Sequence, residues 1–148
     1  DGVISAWKGS SEANSPFKLV ASLLGHSKSV VCLTVGCPNK RLFSGSMDHS
    51  IKVFLLLSWR FGILTHLSGI VALNAMTDAE DKTILFCSCQ DNSVRLYELP
   101  SFSERGRLFA RQEVRSIEKG PGGLIFTGDG TGLVTVSKWS EEAKVEAA

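Results

Sequence analysis

Four cysteines are the first residues whose chemistry can be tested from the sequence. Cys87 and Cys89 are one residue apart, so on a β-strand both thiols lie on the same face. Cys32 and Cys37 lie far upstream, and no Cys-x-x-Cys or Cys/His spacing links the two pairs. Structural zinc sites use closely spaced ligands, whereas buried free cysteine is common in protein cores. We therefore expect reduced thiols, no metal site and no cofactor in this chain.

Residues that serve enzymes also occur, but not in the patterns that catalysis needs. The glycine-rich run from Gly128 to Gly132 is followed by the strand-like Leu133–Val136, whereas a phosphate cradle opens into a helix. No serine sits in a Gly-x-Ser-x-Gly elbow. The carboxylates of Asp48 and Asp91 recur as turn residues rather than as a paired acid and base. The sequence therefore predicts a protein that is not an enzyme.

The densest basic stretch consists of four arginines, Arg105, Arg107, Arg111 and Arg115. A nucleic-acid surface would set such arginines against phosphates and stack Phe109 on a base. Three glutamates interleave with them, Glu104, Glu113 and Glu118, and alternating charge is typical of a solvated edge strand. We favour the solvated face and keep direct RNA or DNA binding as the alternative.

The bulk composition limits the remaining classes. The chain has 148 residues, a net charge of +1, 21% charged residues and 43% hydrophobic residues, which is typical of a globular domain. The longest apolar run, Val53–Leu57, is far shorter than the ~20 residues of a membrane helix. The chain begins at Asp1 rather than Met and shows no signal peptide. We expect a piece of a longer intracellular protein of the nucleus or cytoplasm, without membrane contact.

The elements that position these residues form a repeat. Asp1-Gly-Val-Ile-Ser-Ala-Trp7 returns as Asp48 to Phe54 and as Asp91 to Tyr97, with a weaker copy around Gly130. Aligning Asp1, Asp48, Asp91 and Gly130 gives spacings of 47, 43 and 39 residues. A period of about 40–45 residues with short strands is the signature of propeller blades.

Strand signals follow the same period. Three inner strands recur in each unit: Val30–Val35, Arg41–Ser46 and Ile51–Phe54, then Ile70–Leu73, Thr83–Cys87 and Ser93–Tyr97, then Val114–Ile117, Leu124–Thr127 and Leu133–Val136. Candidate outer strands are Lys18–Leu24, Arg60–Thr65 and Gly106–Ala110. We predict an all-β partial propeller of four-stranded antiparallel blades over residues 1–139, incomplete at both ends, and a polar tail over 140–148.

These residues resemble the WD-repeat family. Leu24-Gly25-His26, Ser44-Gly-Ser-Met-Asp48 and Ile51-Lys-Val-Phe54 are similar to its Gly-His, Ser-Gly-Ser-x-Asp and Ile-x-Val-Trp elements. The resemblance implies a structural tetrad of His26, Ser44 (or Ser46), Asp48 and Phe54. Phe54 lacks the indole N–H of the family, so a shorter network is expected here. Asp1 with Trp7, and Asp91 with Tyr97, keep the turn and the aromatic, whereas Gly130 is aligned with the turn aspartate in the last unit.

More specifically, Asp1 to Val53 and Gly69 to Val136 are similar to plant proteins that join a CCCH zinc finger to a WD-repeat propeller. The similarity breaks from Phe54 to Ser68, where at least one blade is expected to be missing. The zinc finger lies outside this chain, so zinc is expected only there. The resemblance implies that the full-length protein couples the propeller to RNA or DNA.

The sequence therefore predicts a scaffold for protein or peptide partners, with direct nucleic-acid binding through the Arg105–Arg115 stretch as the alternative. Loops at one rim of a propeller are the expected docking surface. The candidates at that rim are Lys28, Met47, His49, Gln90, Asn92, Arg111 and Asp129. Unpaired blade edges also predict self-association.

Overall fold

The computed structural model describes residues 1–36, 40–56, 60–66 and 69–139, and the described residues form thirteen strands. The strands are β1 (Ile4–Gly9), β2 (Phe17–Leu23), β3 (Val30–Gly36), β4 (Arg41–Ser46), β5 (Ser50–Leu55), β6 (Arg60–His66), β7 (Ile70–Thr77), β8 (Thr83–Cys89), β9 (Ser93–Glu98), β10 (Ser103–Phe109), β11 (Val114–Lys119), β12 (Leu124–Asp129) and β13 (Val134–Lys138). A single 3₁₀ turn, Pro121–Gly123, precedes β12. The tail predicted at 140–148 and the thiol of Cys37 lie outside the described residues.

The strands form four antiparallel sheets. β1 and β2 make a two-stranded sheet, β3 to β6 make blade A, β7 to β10 make blade B, and β11 to β13 make the three-stranded blade C. Within each sheet every strand pairs with its neighbour in the chain. The prediction of an all-β fold with four-stranded antiparallel blades is confirmed, and the sheets do not close into a ring.

The outer strand of blade A, β6, lies within Phe54 to Ser68, the segment in which the sequence analysis expected the resemblance to break. β6 pairs antiparallel with β5 from Leu55 and Arg60 through Ser50 and His66. A bulge between Ile51 and Lys52 shifts the register midway along this pair. The segment therefore completes a four-stranded blade even though its sequence departs from the repeat.

Apolar side chains fill the space between adjacent blades. Between blades A and B, Phe43 and Ile51 pack in one buried cluster with Ile70, Leu85 and Cys87. A second buried cluster joins blades B and C, and Phe86, Leu96, Val114, Ile117 and Ile125 belong to it. Because successive side chains of a strand point to opposite faces, Leu85 serves the first cluster and its neighbour Phe86 serves the second.

Blades B and C are also linked by side chains that reach the neighbouring backbone. The Asn74 amide donates to the carbonyl of Ile117 at 2.9 Å, and the Lys119 ammonium donates to the carbonyl of Ala75 at 3.3 Å. The buried Ser88 hydroxyl donates to the carbonyl of Val114. These three bonds fix the register of β11 against β7 and β8, because each needs one particular carbonyl.

The alignment of Gly130 with the turn aspartates is wrong by one residue. In blade A the backbone N–H of His49 donates to the carbonyl of Ser46, and in blade C that of Gly132 donates to the carbonyl of Asp129. His49 and Gly132 are also the residues with positive φ in these turns. Thr131 therefore stands where Asp48 stands in blade A, and Asp129 stands where Ser46 stands. The hydrogen bonds that close the turns, rather than the residue types, give this alignment.

Candidate functional site

A buried hydrogen-bond network lies where blade A begins its first strand. The ring of His26 is held between Asp48, at 2.8 Å from Nδ1, and Ser44, at 2.7 Å from Nε2. An ionised carboxylate only accepts hydrogen bonds, so Nδ1 carries a proton, and in the neutral ring Nε2 then accepts from the Ser44 hydroxyl. The Ser46 hydroxyl donates instead to the carbonyl of Lys28 at 3.1 Å. The structure thus brings together three tetrad residues and selects Ser44 as the strand hydroxyl.

Asp48 accepts three further hydrogen bonds, from two residues that the sequence analysis missed. Its Oδ1 accepts from both the backbone N–H and the hydroxyl of Ser50, and its Oδ2 accepts from the backbone N–H of Ser27 at 3.0 Å. Burial would raise the pKa of Asp48, but the bonds from Ser50, His26 and Ser27 outweigh it and hold the pKa well below its ordinary range. The carboxylate therefore ties the turn to the preceding loop.

A signal for Ser50 was present in the sequence as a recurring Asp-x-Ser/Thr pattern. In blade B, Asp91 accepts from the backbone N–H and the hydroxyl of Ser93, and these bonds lower its pKa. In blade C, Asp129 accepts from both groups of Thr131, which likewise lowers its pKa. The pattern occupies the same turn position in blades A and B and lies two residues earlier in blade C, and in each blade the aspartate stabilises its own turn.

Blade B replaces the histidine network with two thiols. Strand register puts Cys87 where Ser44 stands in blade A and Cys89 where Ser46 stands. Both side chains are fully buried, and their sulfur atoms lie 4.0 Å apart. Cys32, partly buried at the same interface, has its pKa raised to about 12 because burial disfavours the thiolate. The described residues contain no group of three or more His, Cys, Asp or Glu side chains suited to a metal ion.

The aromatic positions of the repeat differ in their burial. Phe54 is buried in a cluster with Ile4 and Leu23. Tyr97 is also buried and stacks on Phe102 with ring centroids 5.6 Å apart. Trp7, the third member of the pattern, is exposed on β1. The aromatic therefore contributes to packing in blades A and B and not in the two-stranded sheet.

The predicted docking residues lie on the connections at one end of the sheets. The loops β4–β5, β8–β9 and β12–β13 share this end with the connections that lead into β3, β7 and β11, because all neighbouring strands are antiparallel. The backbone N–H of Gly69 donates to the His49 ring at 3.1 Å, and the Gln90 side chain covers Gly69 so closely that a Cβ there would lie 2.2 Å from its oxygen. Asn92 donates to the carbonyl of Arg111 at 3.5 Å. Met47 and Lys28 are exposed.

At this end a groove separates blades B and C. Its volume is about 320 Å³, and its lining includes Phe109, Arg111, Asp129 and Leu133. The side chains of Phe109 and Leu133 are 70% and 56% exposed. No carboxylate among the described residues lies within 4 Å of the Arg111 guanidinium. We call this site the B–C groove, and it combines exposed apolar surface with an unpaired cation.

The other arginines of the basic stretch are engaged with acids. Arg105 is only 13% exposed, and its guanidinium lies 2.8 Å from the buried carboxylate of Asp78 and 5.6 Å from the Trp139 ring. Burial opposes ionisation of Asp78, but the Arg105 bond and two backbone bonds outweigh it and lower its pKa. Arg107 binds Glu104 through two nitrogens, and Arg115 lies 3.6 Å from Glu113. The four arginines therefore do not form one free basic patch.

Comparison with known proteins shows which proteins the chain is similar to. Residues 17–54 match the WD40 family, described as WD domain, G-beta repeat. The chain is 40% identical over 183 residues to zinc finger CCCH domain-containing protein 17 of Oryza sativa subsp. japonica, covering 94% of this chain and 41% of that protein. It is 36% identical over 189 residues to zinc finger CCCH domain-containing protein 59 of Arabidopsis thaliana, covering 97% of this chain and 40% of that protein. The predicted resemblance to WD-repeat proteins and to plant CCCH proteins is confirmed.

The alignments also show what the chain lacks relative to these proteins. It spans about two fifths of the length of the relatives that it matches over most of its sequence. The rice alignment has 183 positions, whereas 94% of 148 residues is about 139, so about 44 positions hold no residue of this chain. Zinc finger CCCH domain-containing protein 48 of Arabidopsis thaliana is 60% identical, but over only 75 residues, 51% of this chain and 17% of that protein. About 44 positions is close to the length of one WD repeat.

Proposed function

We propose that this WD40-repeat chain is a non-catalytic scaffold that binds a short peptide segment of a protein partner in the B–C groove. The single observation that supports the proposal is that exposed apolar side chains share one concave site with an arginine that has no described carboxylate within 4 Å. Rigid antiparallel blades carry the loops that line the groove, and loops on a rigid scaffold are common recognition surfaces. The neighbouring rim residues Asn92 and Asp129 already serve the turns, so they position the loops.

The chemistry of the groove indicates the kind of peptide. Phe109 and Leu133 offer an apolar anchor site, and aromatic anchors in pockets carry much of the energy of protein interfaces. Arg111 favours an acidic side chain next to that anchor, because its guanidinium pairs with carboxylates in a fixed fork geometry. We therefore infer a partner segment with a bulky apolar residue beside an aspartate or glutamate.

A peptide-array experiment tests this proposal. The full chain is incubated with random ten-residue peptides, and bound sequences are compared between the natural chain and Arg111→Glu and Phe109→Ser variants. We expect enrichment of apolar-acidic pairs, and at least tenfold weaker binding by each variant. Lys28→Glu is the matched control, because Lys28 is an exposed cation at the same rim outside the groove. If the Arg111→Glu and Phe109→Ser variants still bind the peptides and the Lys28→Glu variant does not, the peptide site does not lie in the B–C groove.

The names of the relatives support a second role for the intact protein. We infer that the full-length protein joins this scaffold to a CCCH zinc finger that contacts RNA or DNA. Direct nucleic-acid binding by the present chain is less favoured, because Arg105, Arg107 and Arg115 lie beside acids. A nucleic-acid interface loses affinity steeply as salt rises. RNA binding by the present chain with that dependence, and its loss in an Arg111→Gln variant, would restore the alternative.

The described part of the chain has no helix of the length and hydrophobicity that a membrane crossing requires. The predictions of nuclear or cytoplasmic location and of no membrane contact remain proposals. Fluorescent tagging of the full-length protein in plant cells is the measurement that distinguishes the two compartments.

A further inference from the structure

A second cavity lies between blades A and B, at the end of the sheets opposite the docking rim. Its volume is about 210 Å³. The first residues of β4 and the ends of the β7–β8 and β9–β10 connections line it, including Arg41, Phe43, Asp81, Lys82, Leu99 and Pro100. We call it the A–B cavity. It is separate from the B–C groove and shares no lining residue with it.

Arg41 lines this cavity and has no ion-pair partner among the residues that the structure describes. Its Nε is inaccessible to solvent and has no hydrogen-bond acceptor among the described residues. No described carboxylate lies within 4 Å of its guanidinium. A buried donor without an acceptor is rare in proteins, because it loses its water without gaining another partner. Nε itself is out of reach of a ligand, so the Nη atoms are the donors through which this guanidinium can bind an anion in the cavity.

The other charges around the cavity disfavour an anion with more than one negative charge. The Lys82 ammonium is already neutralised, at 3.3 Å from Glu80 and 3.1 Å from Glu98. The acidic side chain of Asp81 also lines the cavity and would repel a dianion such as phosphate. A carboxylate carries a single charge and matches the planar fork of arginine through two parallel hydrogen bonds.

The walls of the cavity indicate what the carboxylate is attached to. Phe43 and Leu99 are buried apolar residues, and Pro100 adds further apolar surface beside them. Such walls favour a hydrocarbon group next to the charged end of the ligand. We propose that the A–B cavity binds a carboxylate on a short apolar stem, with Arg41 as its ion-pair partner. The carboxy-terminal residue of a peptide and a small free carboxylic acid share this chemistry.

The test uses the full chain and two probes that differ only in charge. N-acetyl-leucine carries the carboxylate on an apolar stem, and N-acetyl-leucinamide replaces it with a neutral amide. Titration is followed through amide chemical shifts in ¹⁵N-labelled protein. We expect N-acetyl-leucine to shift the signals of Arg41, Thr83 and Leu99, which line the cavity, and to bind at least tenfold more tightly than the amide.

Substitutions of Arg41 test whether its guanidinium is responsible for the tighter binding of the acid. Arg41→Gln should weaken N-acetyl-leucine at least tenfold, and Arg41→Lys should retain part of the affinity. Arg107→Gln is the control, because Arg107 is paired with Glu104 and lies outside the cavity. Should Arg41→Gln fail to fold, the comparison of acid with amide on the natural chain still decides the question.

Every outcome of this experiment is informative. Tighter binding of acetyl-Ala-Ala-Leu than of N-acetyl-leucine assigns the cavity to peptide ends, and equal binding assigns it to small free acids. Equal shifts with the acid and the amide, or unchanged affinity in the Arg41→Gln variant, would overturn the proposal. A Phe109→Ser variant should bind the acid normally, so failure here is distinguishable from failure of the B–C groove.

Discussion

Replacing Asp48 with asparagine tests the hydrogen-bond network of blade A. Asparagine keeps one acceptor oxygen, which can serve the two donors of Ser50, but its amide group faces the donors of His26 and Ser27. Two hydrogen bonds to a charged acceptor are therefore lost, and each contributes about 1.5 kcal/mol at the lower end of its range. We expect the free energy of unfolding to fall by about 3 kcal/mol at pH 7.

Equilibrium unfolding in urea, followed by circular dichroism, measures this change. Asp91→Asn is the matched control, because Asp91 occupies the same turn in blade B but its second oxygen binds only Arg95, at 3.1 Å and with 41% of the Asp91 side chain exposed. Loss of an exposed ion pair costs about 0.2–1 kcal/mol. Equal destabilisation by the two substitutions would refute the role assigned to His26 and Ser27.

The natural chain and the Asp48→Asn variant should also differ in how their stability changes at acid pH. The pKa of Asp48 in the folded chain lies below its value of about 3.9 in an unfolded chain. The ionised carboxylate therefore stabilises the fold above that value, and the contribution is lost as the pH falls below about 4. The stability gap between the natural chain and Asp48→Asn should narrow over this range. A constant gap from pH 7 to pH 3 would contradict the assignment.

Three other predictions follow from packing. Gly45→Ala should lower the free energy of unfolding by about 1–3 kcal/mol, because the added Cβ would lie 2.6 Å from the sulfur of Cys32. Urea unfolding measures this loss, and an unchanged midpoint would argue against the contact. Cys87 and Cys89 are fully buried, so both should react with a thiol reagent only after the chain unfolds. Mass spectrometry locates the labelled residues, and rapid labelling of either cysteine in the native chain would contradict the structure. Val136→Lys, on the exposed strand β13, should reduce self-association in sedimentation velocity, and unchanged association would exclude that edge as the contact.

Strand positions followed from sequence because hydrophobic periodicity and turn residues agree along most of the chain. β4 was predicted with the bounds that the structure has, and β7 was predicted to end at Leu73 although it continues to Thr77. The extension includes Asn74, whose polar side chain resembles that of a loop residue. Its amide bonds the carbonyl of Ile117, 43 residues away, and such a partner has no local signature.

The candidate site was less predictable for the same reason. The tetrad residues His26, Ser44 and Asp48 followed from a family pattern, and the structure brings them into contact. Arg105 was grouped with its neighbours as a basic stretch, but it binds Asp78, 27 residues earlier, beneath Trp139. The unpaired state of Arg111 and Arg41 also depends on which acids the fold brings near. Spacing along the chain carries no information on that point.

The unlike contacts between neighbouring blades bear on how such a chain evolves. Blades B and C are joined by three side-chain bonds to particular carbonyls, whereas the strands of blades A and B meet mainly through apolar packing, with the His49–Gly69 bond at the rim. Apolar packing accepts many partners of similar volume, and polar contacts accept few. The A–B junction is therefore the place where a repeat can be lost or exchanged with little penalty. The alignment with the rice relative has about 44 positions that hold no residue of this chain, and the sequence analysis expected a missing blade between Phe54 and Ser68. Non-specific packing at this junction makes it a natural point for recombination between repeats.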